Sequence, residues 1–404
     1  MLRVCLSMLV PILLAGCDPP ERSSLENGPD QALLDTVFTA FGPMQVMGAG
    51  TALVSGDSVV LVSGLGSAGG DRPYTSATVQ NIGSISKTFI GVAIMKAVEL
   101  GLVDLDAPIQ HHLPFPVHHP HFPEVPITLR HLATHTSGIR DTEAAYYHQT
   151  YVLRVAASDP SWNDWSPLQP VDPDDAVSME QLLERSLAGH GEWRSDSSFT
   201  DHRPGTRFEY SNLGATLAAF VLHRAVGTSF EAFTREHILE PLGMQDSFWQ
   251  TGRWDDPART RLFRAMHAPL PDYRLVTYPD GGFTTSSRDM ARYLRELIRA
   301  SKGRGTLLSA ASYAELLRPQ LDSTHFADRS LARFTDEHNM GIFLGMGRTG
   351  YFGHTGGDPG VTSMLFVDPE QGIGCYAVVN TELEDFGAFM QWWKLLWRKA
   401  GEAG

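Results

Sequence analysis

Ser84 and Lys87 stand three residues apart in the stretch Gly83-Ser84-Ile85-Ser86-Lys87-Thr88-Phe89. At that spacing a hydroxyl and an ammonium share one helix face. Burial makes a lysine lose its proton easily, because desolvation disfavours the charged form. A neutral Lys87 then takes the Ser84 proton and leaves a nucleophile. If Ser84 starts the helix, its backbone N–H and the positive end of the helix dipole face any oxyanion forming there. The spacing alone is thin evidence. The chain holds only five lysines, and with serine near 7% of positions about 0.35 such pairs arise by chance. The pair therefore needs support from elsewhere in the chain.

Two further stretches supply it. Tyr210-Ser211-Asn212 is the only Tyr-x-Asn in the sequence. A tyrosine hydroxyl is a poor base at its ordinary pKa of about 10. Beside one or two ammonium groups its phenolate form is favoured, and it becomes usable for proton transfer. Asn212 has donors and an acceptor with which to hold Lys87 or a substrate amide. The third stretch is His354-Thr355-Gly356-Gly357, just before a strand-like run at 361–367. A glycine pair lets a substrate approach a strand edge closely. Backbone N–H groups there complete an oxyanion hole with that of Ser84, and His354 and Thr355 are suited to grip a carbonyl or carboxylate.

In this order the three motifs resemble the serine β-lactamase and penicillin-binding-protein superfamily, in its class C-like branch. The run Leu129-Arg130-His131-Leu132-Ala133-Thr134-His135-Thr136-Ser137-Gly138, the approach Phe208-Glu209-Tyr210, Pro241-Leu242-Gly243-Met244 and Asp368-Pro369-Glu370 fit the same pattern. The resemblance spans residues 31–396. It implies a serine hydrolase that works through an acyl-enzyme on an ester or amide, of esterase or D-amino-acid-peptide peptidase type, with no cofactor and no metal. By that resemblance Ser84 is acylated, Lys87 activates it, and Tyr210 shuttles protons to the leaving group and from the deacylating water. Asn212, His354, Thr355, Gly356 and Gly357 bind substrate, and the N–H groups of Ser84 and Gly357 hold the oxyanion. One departure matters. The β-lactamases of this branch usually carry Lys where this chain has His354, and a histidine is largely neutral at neutral pH. A true β-lactamase is therefore the alternative reading. A non-catalytic cell-wall binding module is the alternative of another class, but such proteins usually lose Ser, Lys or Tyr, and all three are present.

The remaining composition narrows the partners. The chain has 404 residues and a formal net charge of −14. An acidic chain without a basic run argues against nucleic acid, leaving a small-molecule or peptide acyl substrate and a monomer as the expectation. Of three cysteines, Cys375 lies in an apolar run and reads as a small buried hydrophobe. Cys17 ends Leu13-Leu14-Ala15-Gly16-Cys17, which resembles a bacterial lipobox. Residues 1–17 read as a lipoprotein signal peptide and 18–30 as a flexible tether, so that a hydrolase unit over 31–404 faces the periplasm or cell exterior on a lipid anchor. Asp18 resembles an inner-membrane retention signal. Five histidines between 110 and 126 lie among prolines, which forbid a regular ligand spacing, and read as a surface loop.

The elements that must position these residues are legible in outline. β-like runs at 45–54 and 58–64 flank a hairpin signal, and a third at 78–82 leads to Ser84. Helical patterns cover 31–41, 86–100, 127–139, 213–226 and 229–240, and Ser286 caps a further helix with Asp289 at its third position. The segment 141–205 is long and irregular, a lid or an aromatic mini-core. Strand-like runs return at 361–367 and 373–380 before a closing aromatic helix. The expectation is an α+β fold of the β-lactamase/transpeptidase kind: an antiparallel sheet from both chain ends (31–83 and 281–404), flanked by helices, with a mostly helical lobe inserted at 84–280.

Overall fold

The computed structural model describes residues 31–154, 168–249, 253, 255–327 and 336–403. Residues 1–30, read above as a signal peptide and tether and including Cys17, lie outside the described residues.

An antiparallel sheet of eight strands organises the molecule. Its five long strands, in spatial order, are Phe352–Asp358, Val361–Asp368, Ile373–Val379, Gly48–Ser55 and Ser58–Gly69. The two ends of the chain meet at its centre, where Leu53 pairs with Cys375 and Thr51 with Ala377. Strand alternation sorts the side chains onto two faces. Leu53, Phe366, Cys375, Ala377 and Val379 face the helices Gln31–Phe41 and Phe386–Glu402, around Phe389, Trp392 and Trp393. Val54, Leu365, Tyr376 and Val378 face the larger core. Strands buried on both faces read as continuous apolar runs, which is why 373–379 shows no polar alternation. Cys375 is fully buried there.

Behind the second face lie the helices Ser287–Ser301, Ser86–Glu99 and Asn212–Val226. Ser286 caps the first through the Asp289 N–H, as the sequence spacing predicts. The second runs to Glu99 and turns at Gly101, φ 69°. Two expectations need correction. The run 58–64 continues as strand to Gly69. The helix expected over 127–139 is only Leu129–Ala133, because His135 (φ 54°) and Gly138 (φ 79°) take left-handed backbone and turn the chain away. In the histidine-rich segment, His119 is buried and packs against Phe199 and Phe122, ring centroids 5.3 and 5.2 Å away. Burial pushes its pKa down to about 4. Within 141–205, a strand Tyr151–Leu153 pairs with Tyr273–Leu275, and the helix Met179–Leu187 carries Arg185, which covers the Trp193 ring.

Candidate active site

The strand Val79–Asn81 delivers the chain to a tight turn at Gly83, φ 55°. A 3₁₀ turn over Gly83–Ile85 follows, and the helix begins at Ser86. Ser84 thus stands just ahead of the helix, where first-turn N–H groups have no intrahelical carbonyl. Glycine is required at 83 twice over. The φ is left-handed, and a Cβ would stand 2.7 Å from the Gly357 nitrogen. The strand Phe352–Asp358 passes this close only because Gly356 is also bare: a Cβ there would overlap the Ile82 carbonyl and Ser363 Oγ. Side chains fasten the turn. Ser363 Oγ donates to Ile82 O at 2.7 Å. Ser86 Oγ donates to Gly83 O at 2.6 Å and accepts the Phe283 N–H at 3.1 Å.

Lys87 is buried with its Nζ at the centre of the site. Nζ lies 2.7 Å from Asn212 Oδ1, 2.8 Å from the Asp280 carbonyl oxygen and 2.9 Å from Ser84 Oγ. The first two can only accept, so they take two N–H bonds. The third direction meets a hydroxyl, which either accepts from an ammonium or donates to the lone pair of an amine. Burial lowers the Lys87 pKa, opposed by the Asp280, Asp141, Asp358 and Asp336 carboxylates. The direction is toward the amine.

The Asn212 amide is oriented by Asp141. That carboxylate accepts Asn212 Nδ2 at 2.9 Å, the Asn212 and Leu213 N–H groups at 2.8 and 2.9 Å, and Ser211 Oγ at 3.1 Å. With Nδ2 bound there, Oδ1 must face Lys87. Burial raises the Asp141 pKa, against the pull of those donors.

The Tyr210 ring centroid lies 5.1 Å from Lys87 Nζ. The phenolate expected from the sequence is not what this environment favours. Burial raises the Tyr210 pKa well above its usual value, and the Asp336, Asp280 and Asp141 charges add to that. Tyr210 is a phenol at neutral pH, a proton donor. His135 holds it in place. Its ring packs 4.4 Å from that of Tyr210, its Nδ1 accepts the Ser211 N–H at 3.2 Å, and its carbonyl accepts the Glu209 N–H at 2.8 Å.

His354 is buried 6.2 Å from the Tyr210 ring, centroid to centroid. Its Nδ1 faces two acceptors, Thr355 O at 2.6 Å and Asp336 Oδ2 at 3.1 Å, so the ring proton belongs on Nδ1. Burial lowers the His354 pKa, with Asp336 opposing. Asp336 Oδ2 also accepts the Thr355 N–H at 2.8 Å and hydroxyl at 3.0 Å. Gly357 is exposed, with open space where a side chain would stand.

The fold therefore brings Ser84, Lys87, Tyr210, Asn212, His354, Thr355, Gly356 and Gly357 to one place. Four carboxylates that the sequence reading passed over belong with them: Asp141, Asp280, Asp336 and Asp358. The Asp280 side chain is fully buried, accepts the Tyr146 and Thr216 hydroxyls, and has a pKa pushed up to about 6 by burial. A cavity of about 760 Å³ is lined by Arg140, Arg207, Glu209 and Glu337 among others, sequence neighbours of Asp141, Tyr210 and Asp336.

Comparison with known proteins agrees with this geometry. The Beta-lactamase family model matches residues 34–396. The chain is 23% identical over 313 residues to the D-alanyl-D-alanine-carboxypeptidase/endopeptidase AmpH of Escherichia coli (strain K12), covering 76% of this chain and 72% of that one. It is 26% identical over 314 residues to Esterase EstB of Burkholderia gladioli, covering 70% and 74%. The solved D-amino acid amidase from Ochrobactrum anthropi SV3 complexed with D-phenylalanine shares the fold at a TM-score of 0.67 and 21% identity, over 91% of this chain and 98% of that one. The octameric penicillin-binding protein homologue from Pyrococcus abyssi does so at 0.66 and 24%, over 87% and 73%. With its family model matched over nearly the whole described chain, this protein belongs to the Beta-lactamase family and is a serine hydrolase.

Proposed function

We propose that this enzyme hydrolyses an ester or amide of a small-molecule or peptide acyl donor through an acyl-enzyme on Ser84. The observation that carries the reading is the surrounding of Lys87 Nζ, where two fixed acceptors leave the third direction for the Ser84 hydroxyl. Lys87 takes the proton as Ser84 Oγ bonds to the substrate carbonyl carbon. The carbonyl oxygen becomes an oxyanion held by the N–H groups of Ser84 and Gly357. The Tyr210 phenol gives its proton to the leaving oxygen or nitrogen as that bond breaks, and the Lys87 ammonium returns a proton to Tyr210. Water then attacks the acyl-enzyme and loses its proton to Lys87, which passes it to Ser84 Oγ as the acyl–oxygen bond breaks and the carboxylic acid is freed. Thr355 and Asn212 orient the substrate.

A penicillin-type substrate is the less favoured reading, because the neutral His354 offers no fixed charge to a β-lactam carboxylate. The names of the relatives above, a carboxypeptidase, an esterase and an amidase, support ester and amide donors. The anchoring at Cys17 on the outer face of a bacterial membrane is proposed on the lipobox sequence alone; intact-mass analysis of the mature N-terminus tests it.

A fluorophosphonate probe tests the nucleophile. Labelling is expected to map to Ser84 and to vanish in Ser84→Ala with the fold intact by circular dichroism. A label on Ser137 or Ser211 overturns the assignment. Turnover of p-nitrophenyl esters, D-Ala-D-Ala peptides and nitrocefin then ranks the substrate classes.

A further inference from the structure

The strand that carries Gly357 ends one residue later at Asp358, a side chain the hydrolytic steps above do not use. Asp358 is half-buried and pairs with Val361 across the hairpin. The Tyr151 hydroxyl donates to its Oδ1 at 2.9 Å, and Asn81 Nδ2 donates to its Oδ2 at 3.3 Å. A Cβ at Gly281 would lie 3.2 Å from Oδ2, so the carboxylate sits against that bare position. A carboxylate offers roughly four acceptor sites, and these two neutral donors fill only half of them. Among the described residues no Lys, Arg or His makes an ion pair with Asp358. A carboxylate so placed is costly to keep charged without a cation. Its pKa is accordingly pushed up to about 7 by burial.

Its place relative to the reacting atoms is informative. Asn81 lies three residues before Ser84, Gly281 follows the Asp280 carbonyl that holds Lys87, and Asp358 follows the proposed oxyanion donor Gly357. His354 and Asp358 mark the two ends of one strand segment, about 13 Å apart at ~3.3 Å per residue. The leaving group belongs near Tyr210, which packs at the His354 end. The acyl portion of a substrate on Ser84 therefore extends toward Asp358. The Tyr151 and Tyr273 rings, 5.6 Å apart, stand beside that end, and Tyr273 hydroxyl donates to Pro359 O at 2.9 Å.

We propose that Asp358 is a specificity-determining residue whose carboxylate receives a protonated amine on the acyl portion of the substrate. The preferred donors are then amides or esters of amino acids with a free amino group, and the inference rests on the acyl-transfer reading of Ser84. The amine supplies a cation in direct contact, which Lys87 does not, and fills acceptor sites left open by Tyr151 and Asn81.

The test compares alanine p-nitroanilide, in both enantiomers, with propionyl p-nitroanilide, which lacks the amine. For the wild type, kcat/KM is expected to favour one amine-bearing enantiomer by at least about 10-fold, the size of a charge-assisted hydrogen bond. In Asp358→Asn, nearly the same shape without the charge, that ratio should fall by about 10-fold or more. An unchanged ratio in the variant, or a wild-type preference for the propionyl compound, overturns the proposal. Calorimetric titration of phenylalaninamide and 3-phenylpropanamide into Ser84→Ala reads the same preference without turnover. Failure of the amine preference in that titration removes the role of Asp358 while leaving hydrolysis at Ser84 intact. Failure of fluorophosphonate labelling removes the hydrolase reading while the titration still reports on the amine. If Asp358→Asn does not fold, competition by benzylamine against benzyl alcohol on the wild type decides: equal inhibition overturns the proposal.

Discussion

In the proposed mechanism Lys87 carries more of the chemistry than any other side chain, and its protonation is the first thing to measure. Its pKa is lowered by burial against four carboxylates. In the proposed mechanism the amine is the base, so kcat/KM should fall as pH drops through the Lys87 pKa, at a pH below the usual lysine range. In that mechanism Tyr210 works as a phenol with a pKa well above its usual value, so it should set no limb near neutrality. A pH profile on a neutral ester that stays flat until the ordinary lysine range would reverse both assignments. Beneath Lys87, Asp280 makes a separate prediction about stability. Its pKa is raised from 3.8 to about 6 by burial. A raised folded-state pKa contributes stability that is fully present below the unfolded value and is lost as pH rises through the folded one. Asp280→Asn mimics the protonated form at every pH. The variant should therefore gain on the wild type by about 1–3 kcal/mol between pH 4 and 7.5, read as a Tm difference that widens with pH. A difference that stays constant across that range would show that Asp280 is not the titrating group.

At the scale of elements, the site is held by close passage of backbone. Gly356 lets the strand Phe352–Asp358 lie against the nucleophile turn. Gly356→Ala should destabilise by about 1–3 kcal/mol as overpacking, and should cost activity by moving the Gly357 N–H. Gly357→Ala meets open space and should leave stability within roughly 0.5 kcal/mol. Equal urea midpoints for the two variants would count against the close passage. Elements like these were partly legible in the sequence. Ser84, Lys87, Tyr210, Asn212 and His354 each sit in a short motif whose chemistry is local, and the helix over 86–99 announces itself by its apolar spacing and its glycine stop. Asp141 has no such signal. It contacts Asn212, 71 residues away in sequence, and nothing beside it distinguishes it from a surface aspartate. The same holds for Asp336 beside Thr355 and for Asp358 beside Asn81. The expected phenolate failed for a related reason. A spacing suggests which charges are near Tyr210, but only the packed structure shows the partial burial and the carboxylates that oppose its ionisation.

For the whole molecule, the sheet's middle is made of its first and last strands. Gly48–Ser55 pairs on one side with Ser58–Gly69 and on the other with Ile373–Val379. The helices at the two ends also pack together, with Trp392 Nε1 donating to Val37 O at 3.3 Å. Ends that meet in this way tolerate relinking. A circular permutant that joins residue 403 to residue 31 by a short glycine-rich linker, and opens between 155 and 167, should fold and keep Ser84 reactive to a fluorophosphonate. Loss of labelling in a folded permutant would mean that the segment 141–205 has to be continuous to shape the site.

The meeting of first and last strands also sets an order in time. While the chain is being made, Gly48–Ser55 has its hairpin partner early, but its other edge waits for residues more than three hundred positions later. Pairings of such separation are slow to form. Gly356 and Gly357, which complete the surroundings of Ser84, arrive only shortly before that strand. A chain interrupted after Ser301 has the serine, the lysine and the tyrosine, yet lacks the strand against which the serine's turn is braced. Reactivity at Ser84 should therefore appear only after synthesis has passed the strand Ile373–Val379.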